Sequence, residues 1–137
     1  LGVFGVLERA GALLLVANER RIGGRDTITW DLPGGGVEPG ETLVEALVRE
    51  MREEVSLEVE VQDLLFVSEG ERRAAGRRIG VWRSFFFACA ASEASAPRAG
   101  AEVLDARWFR EEEARARFTA PYHGGFRRFL DSGRSLR

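Results

Sequence analysis

Gly35-Gly36-Val37-Glu38-Pro39-Gly40-Glu41, followed by a run that closes on Arg49-Glu50-Met51-Arg52-Glu53-Glu54-Val55-Ser56-Leu57, is the stretch that decides the fold. From Thr42 the apolar period changes: Val44, Val48, Met51 and Val55 recur at helical spacing. Thr42 stands at the start of the predicted helix, and Glu41 and Glu45 lie near its positive end. At roughly 100° per residue, Glu50, Glu53 and Glu54 share one face, and the apolar stripe points about 100° to 160° away from Glu50. The helix therefore has one side for a core and one side of carboxylates.

Like charges at this spacing repel by about a few tenths of a kcal/mol per pair in water, and by more when covered. Arg49 and Arg52 each offset part of that repulsion. A hard divalent cation offsets it better, since clustered carboxylates and a backbone carbonyl suit Mg²⁺ or Mn²⁺. A solvated acidic helix face is the plainer reading of the three glutamates. The glycines ahead of them favour the cation, because a backbone without side chains lets a carbonyl and a phosphate approach the same ion.

Working outward, 137 residues set the expectation of one domain over 1–137. Such a chain buries about 68% of its unfolded surface, so it needs no metal or disulfide staple. Cys89 is the only cysteine and His123 the only histidine. No intramolecular disulfide, Cys-x-x-Cys pair, four-cysteine zinc site or His-Glu-x-x-His motif can form. The basic residues are 20 arginines with no lysine, which excludes P-loop, PLP and Schiff-base lysines and leaves guanidinium groups as the phosphate ligands. A net charge of −2 argues against gripping a nucleic-acid duplex. The longest apolar run, 85–91, is too short for a membrane span, and no basic and apolar leader opens the chain. A cytoplasmic protein, monomer or homodimer, is expected; because the numbering opens at Leu1 inside a predicted strand, a few leading residues are expected to be missing.

Strands are predicted at 3–7 and 12–17 around the turn Glu8-Arg9-Ala10-Gly11, and at 27–32, ended by Pro33. The run 34–36 is expected to form no regular structure. Residues 57–68 and 79–90 read as a hairpin around a turn region at 69–78, followed by an Ala/Ser/Pro/Gly loop at 91–101. A short strand at 105–109, an acidic helix start at Glu111-Glu112-Glu113 and a last helix over about 125–130 complete the chain. Without a regular βαβ alternation, this pattern predicts a mixed sheet covered by helices.

Residues 35–57 resemble the signature of the Nudix hydrolases: Gly35, Glu41, Arg49, Glu50, Met51, Glu53, Glu54 and Leu57 match it, with Ser56 where glycine is expected. Trp30-Asp31-Leu32-Pro33-Gly34-Gly35 resembles that family's lead-in, and 102–109 its later Glu-to-Trp segment. The resemblance implies an α/β fold, an α/β/α sandwich with a mixed β-sheet. It also implies Mg²⁺-dependent hydrolysis, with Mn²⁺ as substitute, of a nucleoside diphosphate linked to another group, a small-molecule nucleotide derivative. Carried onto these positions, it makes Glu50, Glu53 and Glu54 metal ligands, adds the carbonyl of Gly34, and makes Glu50 a candidate for activating water. Arg49 would hold the glutamates by ion pairs, Gly35 and Gly36 would form the phosphate loop, and Glu41 would brace it. Glu102 or Glu93 would supply a further base or ligand from a later loop. A serine in the left-handed conformation at 56 costs on the order of 1 kcal/mol.

Residues 72–75 carry neither the Pro nor the Tyr that, in the family the chain resembles, marks two substrate classes. In the basic loop 72–78, Arg72, Arg73 and Arg78 are candidates for a terminal phosphate, against the reading of a solvated hairpin tip. Phe85 with Phe87, or Phe86 with Trp82, share a strand face and serve either the core or a stacked base. Two other functions fit the same residues: a sensor of this fold that binds a nucleotide without hydrolysis, and an interaction protein with an acidic helix.

Overall fold

A computed structural model describes residues 1–118 and 124–132. Its elements are β1 (Gly2–Arg9), β2 (Ala12–Ile22), β3 (Arg25–Asp31), β4 (Gly34–Gly36), α1 (Leu43–Val55), β5 (Val59–Ala74), β6 (Arg77–Ala91), β7 (Asp105–Arg110), α2 (Glu111–Arg117) and α3 (Gly124–Asp131). They build a mixed sheet of seven strands in the order β3-β2-β1-β6-β5, with β4 added to β1 and β7 to β2. Among these strands only β1 and β6 pair in parallel. No helix among the described residues is long and apolar enough to cross a membrane.

Alternation along β1 sends side chains to opposite faces and so into two cores. Val3 and Leu7 join Leu47, Met51 and Val55 beneath α1. Val6 joins Phe86, Phe109, Phe126 and Phe129 on the side that carries α2 and α3. The result is the expected three layers, helix on sheet on helix.

One pairing detail makes room for the site. β1 and β2 are paired only beside their turn, at Glu8↔Leu13 and Arg9↔Ala12. Ahead of that, β1 pairs instead with β4, through Gly2↔Gly36, Val3↔Gly35 and Phe4↔Gly34. The glycine run expected to be irregular is therefore a strand. Gly34 holds φ 149°, and a Cβ on it would lie 2.0 Å from the Val3 carbonyl oxygen and 2.7 Å from the Phe4 Cα. Glycine permits regular pairing at a distance no side chain allows.

The hairpin differs as well: 69–78 is not a turn region. Pairing continues to Ala74↔Arg77, so the turn is Ala75-Gly76 alone, both with positive φ. The polar residues that suggested a turn are exposed strand positions joined in cross-strand ion pairs, Glu69 with Arg83 and Glu71 with Arg78.

Candidate active site

The helix that presents the carboxylates is locked at both ends. Thr42 accepts from the Glu45 N–H at 3.1 Å, and the Glu45 carboxylate accepts from the Thr42 N–H at 2.9 Å, a reciprocal cap. Ser56 closes the other end at φ 59°, ψ 34°, in the left-handed conformation. Its side chain donates to the Arg98 carbonyl at 3.2 Å.

Between those ends, Glu50 and Glu54 turn inward toward β4 and are only 7% and 8% exposed. Glu54 Oε1 accepts the Gly34 N–H at 2.8 Å. A Cβ on Gly35 would sit 2.7 Å from the Glu50 carboxylate, so the bare backbone and the acid occupy adjoining space. Glu102, from the segment before β7, brings an oxygen to the same place: Glu50, Glu54 and Glu102 offer ligand atoms within 4.8 Å of one another.

The two buried acids do not ionise freely. Burial pushes Glu54 up to about 8, against the Gly34 hydrogen bond, and Glu50, Glu102 and Asp31 add repulsion. Burial also raises Glu50, partly offset by Arg49. A cation of charge two is the species that would restore the anionic forms, and a cluster of carboxylate oxygens is the donor set that Mg²⁺ and Mn²⁺ take.

Arg49 braces this arrangement from the solvent side. Its Nε and Nη2 donate to the two Glu41 oxygens at 2.8 and 2.9 Å, Nη1 donates to Glu50 at 3.1 Å and Glu53 at 3.3 Å, and Nη2 reaches the Gly36 carbonyl at 3.0 Å. The fork holds Glu41 down to about 2, with help from the Glu38 N–H. Glu53 thus faces the arginine; its side chain is 44% exposed and it stands outside the converging three.

Of the remaining candidates, Arg72 lines a cleft of about 480 Å³ together with Gly35, Gly36, Phe4, Arg20 and Trp82. Arg73 and Arg78 bond Glu71 near the hairpin tip. Glu93 lines a separate cleft of about 290 Å³ with Glu8, Arg9 and Gln62. Phe86 is fully buried, Phe87 is core and Phe85 packs against that core, whereas Trp82 faces the larger cleft. Burial pushes the Cys89 thiol up to about 12, which removes it as a nucleophile. His123 lies outside the described residues.

Sequence reading missed two features. Asp31, 2% exposed, accepts from Arg20 at 2.8 Å and Asn18 at 2.9 Å, while Arg20 also bonds the buried Thr29 at 3.1 Å, so a polar network stiffens the β2–β3 wall of the cleft. Alternation puts Asn18 and Arg20 on one face of β2, a signal that was present but needed the pairing with β3 for meaning. The other is the docking of residues 98–102 on α1, for which the Ala/Ser/Pro/Gly composition carried no signal.

The chain carries a helix-borne acid pair, a third acid from a later segment and a glycine strand, all on a mixed sheet between helices. It belongs to the NUDIX family: a sequence model of the NUDIX domain matches residues 1–129. The human protein 8-oxo-dGDP phosphatase NUDT18 is 37% identical over 112 residues, 80% of this chain and 31% of that protein. The CTP pyrophosphohydrolase of Escherichia coli (strain K12) is 38% identical over 77 residues, 56% of this chain and 54% of that protein. The matched segments thus span about a third and about half of these relatives. Among solved structures, the E. coli ORF135 protein aligns with TM-score 0.71 and 27% identity over 99% of this chain and 91% of its own. A NUDIX hydrolase from Nitrosomonas europaea aligns with TM-score 0.76 at 23% identity, covering 96% and 88%, a likeness of fold.

Proposed function

We propose that the protein hydrolyses a diphosphate bond in a small nucleotide, using Mg²⁺ or Mn²⁺. The observation that carries this reading is the convergence of Glu50, Glu54 and Glu102 against the bare backbone of Gly35. These three carboxylates would hold the ion, with Glu53 and the Gly34 carbonyl as further candidates. Bound there, a divalent ion neutralises charge on the phosphoryl group and orients the attacking water.

The chain's own residues supply the rest. Arg49 holds Glu41, Glu50 and Glu53 in place and ties them to the Gly36 carbonyl, so the loop and the helix move as one body. Glu50, deprotonated and within that brace, is placed to take a proton from water. The cleft beside Gly35 and Gly36 suits the nucleoside. Trp82 lies there across Gly70, where a Cβ would meet the indole at 2.5 Å, so the ring is seated on backbone as a flat surface for a base. Arg72 offers a guanidinium donor along the way. The names of the human and E. coli relatives favour nucleoside di- and triphosphates as the first compounds to test. The single buried Cys89 agrees with a reducing, cytoplasmic setting.

The test is phosphate or pyrophosphate release from a panel of nucleoside di- and triphosphates with and without Mg²⁺. Turnover that depends on the ion and is lost in Glu54→Gln supports the reading. A folded sample with no ion-dependent turnover on any member refutes it, and tight binding without product would mark a sensor.

A further inference from the structure

A helix leaves its last carbonyls without internal partners. At the end of α1 two of these are taken by the segment 98–102: the Arg98 N–H donates to the Val55 carbonyl at 2.9 Å and the Gly100 N–H to the Glu54 carbonyl at 2.8 Å. Ser56 adds a side-chain tie, its hydroxyl donating to the Arg98 carbonyl at 3.2 Å. The contact at Gly100 is close: a Cβ there would stand 1.8 Å from the Glu53 carbonyl oxygen and 3.0 Å from its carbon. The φ of Gly100 is not in the left-handed region, so glycine is required here by space.

The segment is anchored again just downstream. Val103 is buried in the core beneath α1, and the Leu104 N–H donates to the Ala17 carbonyl on β2 at 2.8 Å. Glu102 sits between the two anchors. It is itself exposed, yet its carboxylate meets those of the buried Glu50 and Glu54. A long exposed side chain on an untethered loop would lose much conformational freedom in reaching that point; a backbone already fixed on both sides removes most of the cost.

We infer that Gly100, assisted by Ser56, is a positioning residue that clasps segment 98–102 to the end of α1 and so delivers Glu102 to the cation site. The inference rests on the proposal that this site binds a divalent ion. It also accounts for Ser56, the position that departs from the family signature, because its hydroxyl makes a tie that glycine cannot.

The experiment measures Mn²⁺ affinity of the full chain by electron paramagnetic resonance of the free ion, without substrate, for the wild type, Glu102→Gln, Gly100→Ala, Ser56→Gly and the two double variants with Glu102→Gln. Metal-free melting curves report folding. Gly100→Ala is expected to weaken Mn²⁺ binding about 10-fold, the scale on which residues that orient ligands act, and to weaken it no further when Glu102 is already Gln. Ser56→Gly is expected to melt at the same or a higher temperature, having lost the left-handed strain, yet to bind Mn²⁺ about two- to threefold more weakly. It remains informative if Gly100→Ala does not fold. Wild-type affinity in Gly100→Ala, or in Ser56→Gly when Gly100→Ala does not fold, overturns the inference. So do losses that add in full to that of Glu102→Gln, since they would act through the helix. If Glu102→Gln itself binds Mn²⁺ as the wild type does, Glu102 is not a ligand, and the proposed site fails ahead of the clasp.

Discussion

Burying Glu54 has a consequence for stability that can be measured without knowing the substrate. In the metal-free protein its carboxyl is pushed from 4.5 to about 8, first by burial and then by Glu50, Glu102 and Asp31. A folded-state value above the unfolded one means that the native protein binds the proton more tightly. Below pH 4.5 both states carry it and no stability is lost; as pH rises from 4.5 to about 8 the unfolded chain releases the proton while the native state still holds it, so stability falls until the native carboxyl ionises as well. At about 1.4 kcal/mol per pH unit the full gap is worth roughly 5 kcal/mol. The repulsive part is shared with the neighbouring buried Glu50, so about half of that, 2 to 3 kcal/mol, is the expected loss between pH 5 and pH 8. Glu41, held down to about 2, is ionised in both states over this window and adds no slope. The assay is urea unfolding in EDTA at pH 5 and pH 8. With a slope of about 1 to 3 kcal/mol per molar urea, the midpoint of the wild type should fall by on the order of 1 M. Glu54→Gln should remove most of the fall, and millimolar Mg²⁺ at pH 8 should restore the wild type alone. A wild-type midpoint that holds or rises from pH 5 to pH 8 in EDTA, or a variant that falls equally, would refute the reasoning.

Three further outcomes follow from the same geometry. Glu50→Gln should lower turnover on the order of 100-fold or more, whereas Glu53→Gln, at a carboxylate that pairs with Arg49 outside the converging three, should cost far less; equal losses in initial-rate assays would make Glu53 the ligand among the further candidates. Trp82→Ala should raise KM for nucleotides about 10-fold or more, from a stacking contribution of about 1 to 3 kcal/mol, while kcat changes little; an unchanged KM would move the base elsewhere. Thr42→Ala should lower stability by about 1 kcal/mol in urea unfolding and leave KM alone, since Thr42 does not line the cleft.

The helix and its acids were readable in the order of residues because their causes are local. Apolar spacing, the Thr42 cap and the i, i+4 relation of Glu50 to Glu54 all act within a turn or two of backbone; the structure realises the cap and the acid pair, but of the expected stripe it buries only Met51 and Val55, joined by Ala46 and Leu47, while Val48 is half-buried and Val44 exposed because the sheet meets the helix on a rotated face. The resemblance carried by 35–57 added the layered fold. Reading failed where polarity stood in for position: exposed strand residues at 69–74 looked like a turn, and three glycines looked irregular although their bareness is what lets them pair with β1.

Which glutamates meet could not be settled locally. All three on α1 share a face, but only the approach of β4 decides that Glu50 and Glu54 turn inward while Glu53 is left to Arg49. Glu102 and Glu93 were equal candidates in the sequence; one comes to the acids because Gly100 lies flat on the end of α1, and the other lines a different cleft with Glu8 and Arg9. Short-range forces write helices, caps and turns into neighbouring residues. Contacts between segments some fifty residues apart depend on which backbones can approach closely, and that follows only from the packing of the whole chain.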